Sequence, residues 1–467
     1  MKNWVVFSIL AGVTLLMRFH TLFPLTIDYD ESTYAVIADH VLNGSALYKD
    51  VIDLKQPGIF ILFGGIQLLF GKSILAIRLI AMLAVCSAAY FLYLFKRRRE
   101  SEQLPSILSG VIFILMFNFY FGFSANAEIF FVWCVSLGLL IFQRANNPLL
   151  YLLSGLGFGT GFIIKQHVLF DLAAIGIFFF VVTLLDKQFK SKVLAMATMV
   201  VGFVLPTLLV HTYFVWNGNY DYFHFIFYEA PGNYSEARNW MSTAKFLFGG
   251  FLVYLPFIML ALLSVKSIFL SDFRNRFLLI LLLCFDIIAV LITGAPHAHY
   301  YLQLALPISF AAGEIATLEW VKSLFSKKWV RLSFILASVT YGVFLGRFYH
   351  IRYIQKPNMA EQLYDTLKPI VNENTKLYTG DAPQVLYWLF DKKSPTPYVH
   401  SSILLKDKHL RTLEIDVVDE LTRVYATHPD IIILSKKYRQ PWFKEMVQKE
   451  YSVFETVGNF DLYRKEN

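Results

Sequence analysis

The apolar run at 74–95, ILAIRLIAMLAVCSAAYFLYLF, decides the class of fold, because Arg78 is its one charged residue. A helix needs roughly 20 apolar residues to cross the hydrocarbon core of a bilayer. The run is followed directly by the basic residues KRRR at 96–99. Such an arrangement is typical of a membrane-spanning helix whose basic end stays in the cytoplasm.

The composition extends this interpretation to the whole chain. Of the 467 residues, 56% are hydrophobic and 16% are charged, whereas soluble domains carry about 25% charged residues. The chain therefore lacks the polar surface of a soluble globule. Its formal charge of +8 falls mostly in short clusters between apolar runs, so it indicates the positive-inside rule and argues against a nucleic-acid partner.

Apolar runs of spanning or nearly spanning length predict about eleven transmembrane helices in the bilayer. The clearer runs lie at 4–24, 74–95, 105–122, 193–216, 243–264, 277–293, 302–318 and 332–349. Shorter or less clean runs lie at 128–142, 148–164 and 167–185. The run 59–70 is too short to span and is predicted to be re-entrant or interfacial. Basic clusters fall in alternate loops, which predicts a cytoplasmic N-terminus and an outer C-terminus.

The character of the sequence changes near residue 350, which predicts a membrane domain at 1–350 and a soluble domain at 351–467. The second part alternates β-rich runs at 376–379, 430–435 and 451–457 with helical stretches at 384–390 and 442–449. The predicted fold class is an all-α polytopic membrane domain with a small C-terminal soluble α/β domain. We expect this domain to lie on the outer face and to shape acceptor access.

The loop at 26–57, TIDYDESTYAVIADHVLNGSALYKDVIDLKQP, carries the residues best suited to chemistry. Its six carboxylates and two lysines lie between two apolar segments. A charged side chain costs about 2.5–3.5 kcal/mol at the centre of a membrane helix, so carboxylates this near the bilayer suggest function. A site at the membrane–water boundary can meet both a lipid headgroup and a water-soluble acceptor.

Three motifs resemble the polyprenyl-phosphate-dependent glycosyltransferases of the GT-C class. The first is Asp30-Glu31 followed by Tyr34 and then G-x-x-L-Y-x-D-x-x-D-x-K-x-P at 44–57. The second is S-A-N-A-E at 124–128, and the third is H-x-H-Y-Y at 297–301. Relatives of this class include the protein O-mannosyltransferases and the aminoarabinose transferase of lipid A modification. Gln56 departs from the pattern, since many relatives have proline there.

The resemblance implies an inverting transferase in the bacterial inner membrane that works on its outer face. The donor would be a polyprenyl-phosphate-linked sugar, and the acceptor a protein, lipid A or another envelope glycan. Asp30 would be the general base and Glu31 would orient it or contact the acceptor. No metal and no cofactor are expected. The implied substrate-binding residues are Asp28, Tyr48, Asp53, Lys55, Glu128, His299 and Tyr300.

Simpler roles remain open for several of these residues. Asp30 could be only a helix N-cap, and Asp28 could replace it as the working carboxylate. Lys55 could be an interfacial anchor, and Tyr48 either a phosphate ligand or an interfacial aromatic. Three further interpretations concern residues outside this loop: a metal site at His297 and His299, an interfacial anchor at Lys165, and close helix packing at Gly155, Gly157, Gly159 and Gly161.

Two other classes of protein also fit the sequence. A transporter or flippase for a lipid-linked sugar would use the same charged loop to bind a headgroup, but it predicts ionisable residues within several spans. Here the acidic residues cluster at one membrane face, with Asp171 and Asp286 as exceptions. A receptor-like protein anchored by its helices would not need so many spans. A transferase therefore fits best.

Overall fold

The computed structural model describes residues 1–97, 102–186, 189–236, 240–270, 273–292, 297–349, 351 and 358–465. Arg98, Arg99 and Lys187 of the predicted cytoplasmic clusters lie outside the described residues. The same holds for most of the predicted domain boundary near 350. The division into domains at 1–350 and 351–467 therefore stays a prediction.

Helices make up almost all of the first 349 residues. The first nine are α1 (Asn3–Arg18), α2 (Tyr29–Leu42), α3 (Pro57–Phe70), α4 (Ile74–Lys96), α5 (Gln103–Met116), α6 (Ala127–Arg144), α7 (Pro148–Ile164), α8 (Val168–Asp186) and α9 (Phe189–Trp216). The next eight are α10 (Tyr220–His224), α11 (Ala230–Glu236), α12 (Trp240–Leu263), α13 (Val265–Leu270), α14 (Phe273–Ile292), α15 (Ala305–Ala312), α16 (Glu319–Ser326) and α17 (Lys328–Tyr349). A 3₁₀ helix, Ala298–Leu304, leads into α15.

Each predicted apolar run corresponds to a helix or to a chain of short helices, but the predicted number of spans is not confirmed. Seven of the described helices are long and apolar enough to cross a membrane, and a bent pair at 299–326 would make eight. The helices α5 and α7 are apolar but short, as is α3, which matches the run predicted to be re-entrant or interfacial. The length and hydropathy of an apolar run thus predict the position of a helix better than they predict the number of membrane spans.

The chain forms two compact units, and each draws on distant parts of the sequence. The first unit consists of Met1–Leu22, Arg78–Thr212 and Arg238–Tyr349, and is helical. The second consists of Phe23–Ile77, Tyr213–Ala237 and His350–Asn467. The C-terminal region therefore packs in one unit with the first loop, where the carboxylates and Lys55 lie.

Glycines let α7 and α9 approach each other closely in the helical unit. A Cβ atom at Gly155 would overlap the carbonyl oxygen of Met199, and one at Gly159 would overlap that of Phe203. On the partner helix, a Cβ atom at Gly202 would overlap the carbonyl oxygen of Leu152. The contact of backbone on backbone confirms that the glycine run serves helix packing.

The C-terminal region forms a small α/β fold around a four-stranded sheet. Its strands are β1 (Leu377–Tyr378), β2 (Ile431–Ser435), β3 (Tyr451–Val457) and β4 (Phe460–Lys465), in the order β1-β2-β4-β3. Strands β1 and β2 are parallel, and β4 pairs antiparallel with β2 and β3. The helices are α18 (Met359–Leu367), α19 (Val385–Leu389), α20 (Asp407–Thr412), α21 (Val417–Ala426) and α22 (Pro441–Val447). The α/β character of this region agrees with the prediction.

A methyl group added at the α7–α9 contact should destabilise the helical unit. We expect Gly159→Ala to cost about 1–3 kcal/mol, because backbone on both helices must shift to admit the Cβ atom. Gly176→Ala is the matched control, since a Cβ atom there meets nothing within 4 Å. Thermal unfolding in detergent measures both. Equal melting temperatures for Gly159→Ala and the parent would contradict close packing at this contact.

Candidate functional site

The helix that presents Asp30 begins at Tyr29 and is capped by Asp28. The Asp28 side chain accepts a hydrogen bond from the Asp30 backbone N–H at 3.4 Å. The alternative interpretation of Asp30 as the N-cap is therefore wrong, and Asp28 has that structural role instead. Asp30 and Glu31 lie in the first turn of α2, where the helix dipole favours negative charge. Glu31 is buried, and its predicted role stays a prediction.

Asp30 contacts a lysine and a histidine through its two carboxylate oxygens, and the Tyr34 hydroxyl lies 3.5 Å from Oδ2. The Lys55 Nζ atom lies 2.8 Å from Oδ2, and the His400 Nε2 atom lies 3.3 Å from Oδ1. The side chains of Asp30, Lys55 and His400 are partly buried, with 15–25% of their surface exposed. Lys55 is therefore drawn to a carboxylate and does not extend into solvent as an interfacial anchor.

The charge on Lys55 is secured by its neighbours. Desolvation alone would lower the pKa of its ammonium group, but Asp30, Tyr34 and Asp53 outweigh this effect and raise the pKa well above its usual value. Asp53 is buried, and burial raises the pKa of its carboxyl against the opposing field of Lys55. The Asp53 Oδ1 atom accepts the Lys55 backbone N–H at 3.0 Å, which fixes the turn that carries the lysine.

Tyr48 is a buried residue that supports the turn carrying Lys55 and does not face a ligand. It is 1% exposed, and its hydroxyl donates to the Lys55 carbonyl at 2.7 Å. Its ring stacks on Phe214 with centroids 5.6 Å apart. A φ of 67° places Tyr48 in the left-handed region, which is strained for a residue with a side chain. We therefore assign Tyr48 to the positioning of Lys55, which neither of its two predicted roles included.

A second polar cluster lies in the helical unit and contains the other predicted binding residues. Glu128, in the first turn of α6, forms a buried ion pair with Lys165 at the end of α7. The His299 Nε2 atom lies 3.8 Å from Glu128 Oε1, and the Lys165 ammonium lies 3.9 Å from the centroid of the Tyr300 ring. Lys165 is 8% exposed, so its interpretation as an interfacial anchor is wrong.

The segment that carries His299 and Tyr300 is fixed by a buried polar triad. The Gln303 amide donates to Asp171 Oδ2 at 3.0 Å and to Asp286 Oδ1 at 2.9 Å. These side chains belong to the 3₁₀ helix, to α8 and to α14, and all three are buried. The two carboxyl groups within the spans are thus explained by a packing role.

The metal interpretation of His297 and His299 gains no further ligands from the structure. Their rings stack with centroids 5.5 Å apart. Within the described parts of the chain, no group of three or more His, Cys, Asp or Glu side chains is placed to hold a metal ion. Metal dependence stays a prediction.

His400 is the site residue that the sequence did not predict. It lies between α19 and α20, 370 positions from Asp30. No motif marks it, and only the packing of the C-terminal region against the first loop within their unit brings it to the carboxylate.

Comparison with known proteins identifies the family resemblance. Residues 55–211 match the family model described as dolichyl-phosphate-mannose-protein mannosyltransferase. The structure of ArnT from Cupriavidus metallidurans bound to undecaprenyl phosphate is similar, with a TM-score of 0.69 and 14% identity over 98% of this chain and 97% of that chain. The predicted GT-C resemblance is confirmed.

The GT-C fold extends to a second group of solved structures. The oligosaccharyltransferase AglB from Archaeoglobus fulgidus, in complex with an inhibitory peptide and a dolichol-phosphate, gives a TM-score of 0.53 with 11% identity. That match covers 100% of this chain and 74% of AglB. No curated protein sequence matches the chain. The protein is an integral membrane protein. The matched family range includes Lys55, Glu128 and Lys165, but Asp30 precedes it.

Removal of the Tyr48 hydroxyl should loosen the turn at Lys55. We expect Tyr48→Phe to lower the free energy of unfolding by about 1 kcal/mol, because the Lys55 carbonyl loses its hydrogen bond. Thermal unfolding measures the effect. Tyr364→Phe is the control, since it removes a hydroxyl from a ring stacked on Phe390, away from the loop. Identical melting curves for Tyr48→Phe and the parent would contradict the support role.

Proposed function

We propose that the protein is a membrane glycosyltransferase that moves a sugar from a polyprenyl-phosphate carrier to an acceptor hydroxyl. The observation that carries the proposal is the cluster of Asp30, Lys55 and His400, which sets a carboxylate base beside a cation. The family match and the GT-C fold support it, and the matched structures of ArnT and AglB contain polyprenyl phosphates.

The chemistry needs a base and a cation but no strong acid. The acceptor oxygen attacks the anomeric carbon, its proton passes to Asp30, and the bond from that carbon to the phosphate oxygen breaks. The electron pair of this bond leaves with the polyprenyl phosphate, which is stable as an anion. Attack opposite to the leaving group inverts the anomeric configuration. No cofactor enters this reaction.

Lys55 links donor binding to the availability of the base. A phosphate that approaches the lysine competes with Asp30 for the same ammonium group, since both are anions. Release of Lys55 from Asp30 Oδ2 would remove the ammonium group from that oxygen, which then accepts the proton of the acceptor. The ion pair therefore keeps the carboxylate oriented until the donor binds, and Lys55 then stabilises the charge that remains on the carrier.

The cluster of Glu128, Lys165, His299 and Tyr300 is the second binding element of the proposal. The Lys165 ammonium group suits a phosphate, and the face of the Tyr300 ring suits a sugar ring. Burial, with a smaller contribution from Lys165, lowers the pKa of the neighbouring His167 well below its usual value. Burial and the charge of Lys165 thus both disfavour a proton on His167.

The finer assignments follow from the resemblance and belong to the proposal. The acceptor is an envelope protein, lipid A or another glycan, and transfer takes place on the outer face of the bacterial inner membrane. The N-terminus is cytoplasmic and the C-terminal region lies outside. Glu31, next to the base, orients Asp30 or contacts the acceptor, and buried Asp53 holds the Lys55 turn.

A transporter or flippase of lipid-linked sugars is the alternative function. The buried pair of Asp171 and Asp286 favours it, because transporters use ionisable residues within their spans. Gln303 donates to both carboxyl groups, however, and this closed arrangement suits a structural role better. We therefore favour the transferase.

Replacement of the base should abolish transfer without unfolding the protein. Asp30→Asn is nearly isosteric and leaves the Asp28 cap intact, so we expect a folded protein that still binds the donor. Transfer should fall by about 10²–10⁴-fold, the usual contribution of a general base. The measurement is sugar transfer from a synthetic polyprenyl-phosphate donor by purified protein, with thermal stability recorded alongside.

The matched control is Asp50→Asn in the same loop, which should transfer like the parent because Asp50 is exposed. Lys55→Ala should instead weaken donor binding. Transfer by Asp30→Asn within a few-fold of the parent would refute its role as the base and direct attention to Glu31 or Glu128.

A further inference from the structure

His400 contacts the proposed base from a loop of the C-terminal region, and the loop is held at several points. The Ile52 backbone N–H donates to the Pro397 carbonyl at 2.7 Å, which joins the Lys55 turn to the His400 loop. The Thr396 hydroxyl donates to Glu420 Oε1 at 2.5 Å. A backbone hydrogen bond and a buried side chain, both within four residues before His400, therefore help to set its position.

A second set of contacts fixes the same region against α2. The Gln384 amide donates to the Tyr29 carbonyl at 2.8 Å and to the Thr33 hydroxyl at 2.6 Å. Tyr29 is the residue before Asp30, and Gln384 immediately precedes α19. These two hydrogen bonds thus hold the C-terminal region against α2 one residue before Asp30.

Hydrogen bonding determines the tautomer of His400. The backbone N–H of Ser402 points at Nδ1 of the ring at 3.1 Å. A backbone N–H can only donate, so Nδ1 must hold a lone pair, and the single proton of the neutral ring is on Nε2. This Nε2–H group faces Asp30 Oδ1 at 3.3 Å. His400 is therefore a neutral hydrogen-bond donor to the carboxylate.

His409, the neighbouring histidine, is neutral as well. Burial, aided by the charges of Lys406 and Lys55, lowers the pKa of His409 to about 4. Its Nδ1 atom lies 3.2 Å from the Ser402 carbonyl oxygen, which can only accept. His409 thus holds the backbone of Ser402, whose N–H in turn fixes the ring of His400.

We propose that His400 is a positioning residue that orients Asp30 and keeps it as a carboxylate for the transfer reaction. The inference rests on the proposed function, in which Asp30 accepts the acceptor proton. A carboxylate with a donor on one oxygen and an ammonium on the other cannot rotate freely. When the donor phosphate draws Lys55 away, the His400 contact still holds Asp30 Oδ1, and Oδ2, which the Tyr34 hydroxyl approaches at 3.5 Å, loses the ammonium group.

The hydrogen bond also sets the pH range in which the base works. A donor to the charged form of a carboxylate favours that form, so its loss lets the carboxyl group take up a proton at higher pH. Because only the carboxylate can act as base, the acid limb of the rate profile then moves to higher pH. Among the described residues, the titratable and charged groups that contact Asp30 or act on its charge include Asp28, Tyr34, Asp53, Lys55, Tyr234 and His400.

Two substitutions at His400 separate a hydrogen-bond donor from a proton carrier. His400→Ala removes the donor, so we expect kcat to fall by about ten- to a hundredfold, with donor KM within about twofold of the parent. The acid limb of kcat should move up by roughly one pH unit. His400→Gln keeps an N–H at the same distance from the backbone and does not titrate, so it should retain most of the activity and the parental pH profile.

The control is His428→Asn, an exposed histidine of the same region at a positive φ that asparagine tolerates. It should leave kcat and the pH profile unchanged. An unshifted acid limb in His400→Ala, or a His400→Gln protein as impaired as His400→Ala, would overturn the inference. The proposed function fails separately, because in that case the parent protein itself transfers no sugar from the synthetic donor.

Discussion

The ion pair between Lys55 and Asp30 is the interaction on which the candidate site depends. Neither charge is easily kept partly buried alone, since an unpaired ion in a low-dielectric surrounding is costly. The ion pair forms only if three elements are held in position: the turn at 53–55, the Tyr48 side chain that bonds to it, and the first turn of α2. Packing within the second unit, which includes the C-terminal α/β region, holds these three elements in position.

Hydropathy predicts the helical membrane part well, because each span must bury its backbone polar groups within its own helix. The predicted number of spans is not confirmed, since several apolar helices, among them α5 and α7, are shorter than a typical span. In the α/β region β1, β2 and β3 lie in their predicted places, but β4 was missed. The charged residues in the β4 sequence, FDLYRK, obscure its strand pattern. Gly458-Asn459, between β3 and β4, is nevertheless typical of a hairpin turn.

The site was predictable where its residues lie close in sequence and fit a motif. Asp30 and Lys55 share the first loop, and the structure joins them directly. Glu128, His299 and Tyr300 were singled out from two short motifs, and they also lie together. His400 could not be found in this way, because its contact with Asp30 spans 370 positions and depends on tertiary packing. The roles of Asp28 as cap and Tyr48 as support depend on backbone geometry that a motif does not specify.

The central claim is that this chain transfers a lipid-linked sugar to an envelope acceptor with Asp30 as the base. The most direct test is mass spectrometry of the envelope glycans, glycoproteins and lipid-linked sugars of cells that carry either the parent chain or Asp30→Asn at equal levels. We expect one specific sugar residue to disappear from the acceptor in the variant cells while its polyprenyl-phosphate form accumulates. Identical glycan and lipid profiles in the two kinds of cells would contradict it.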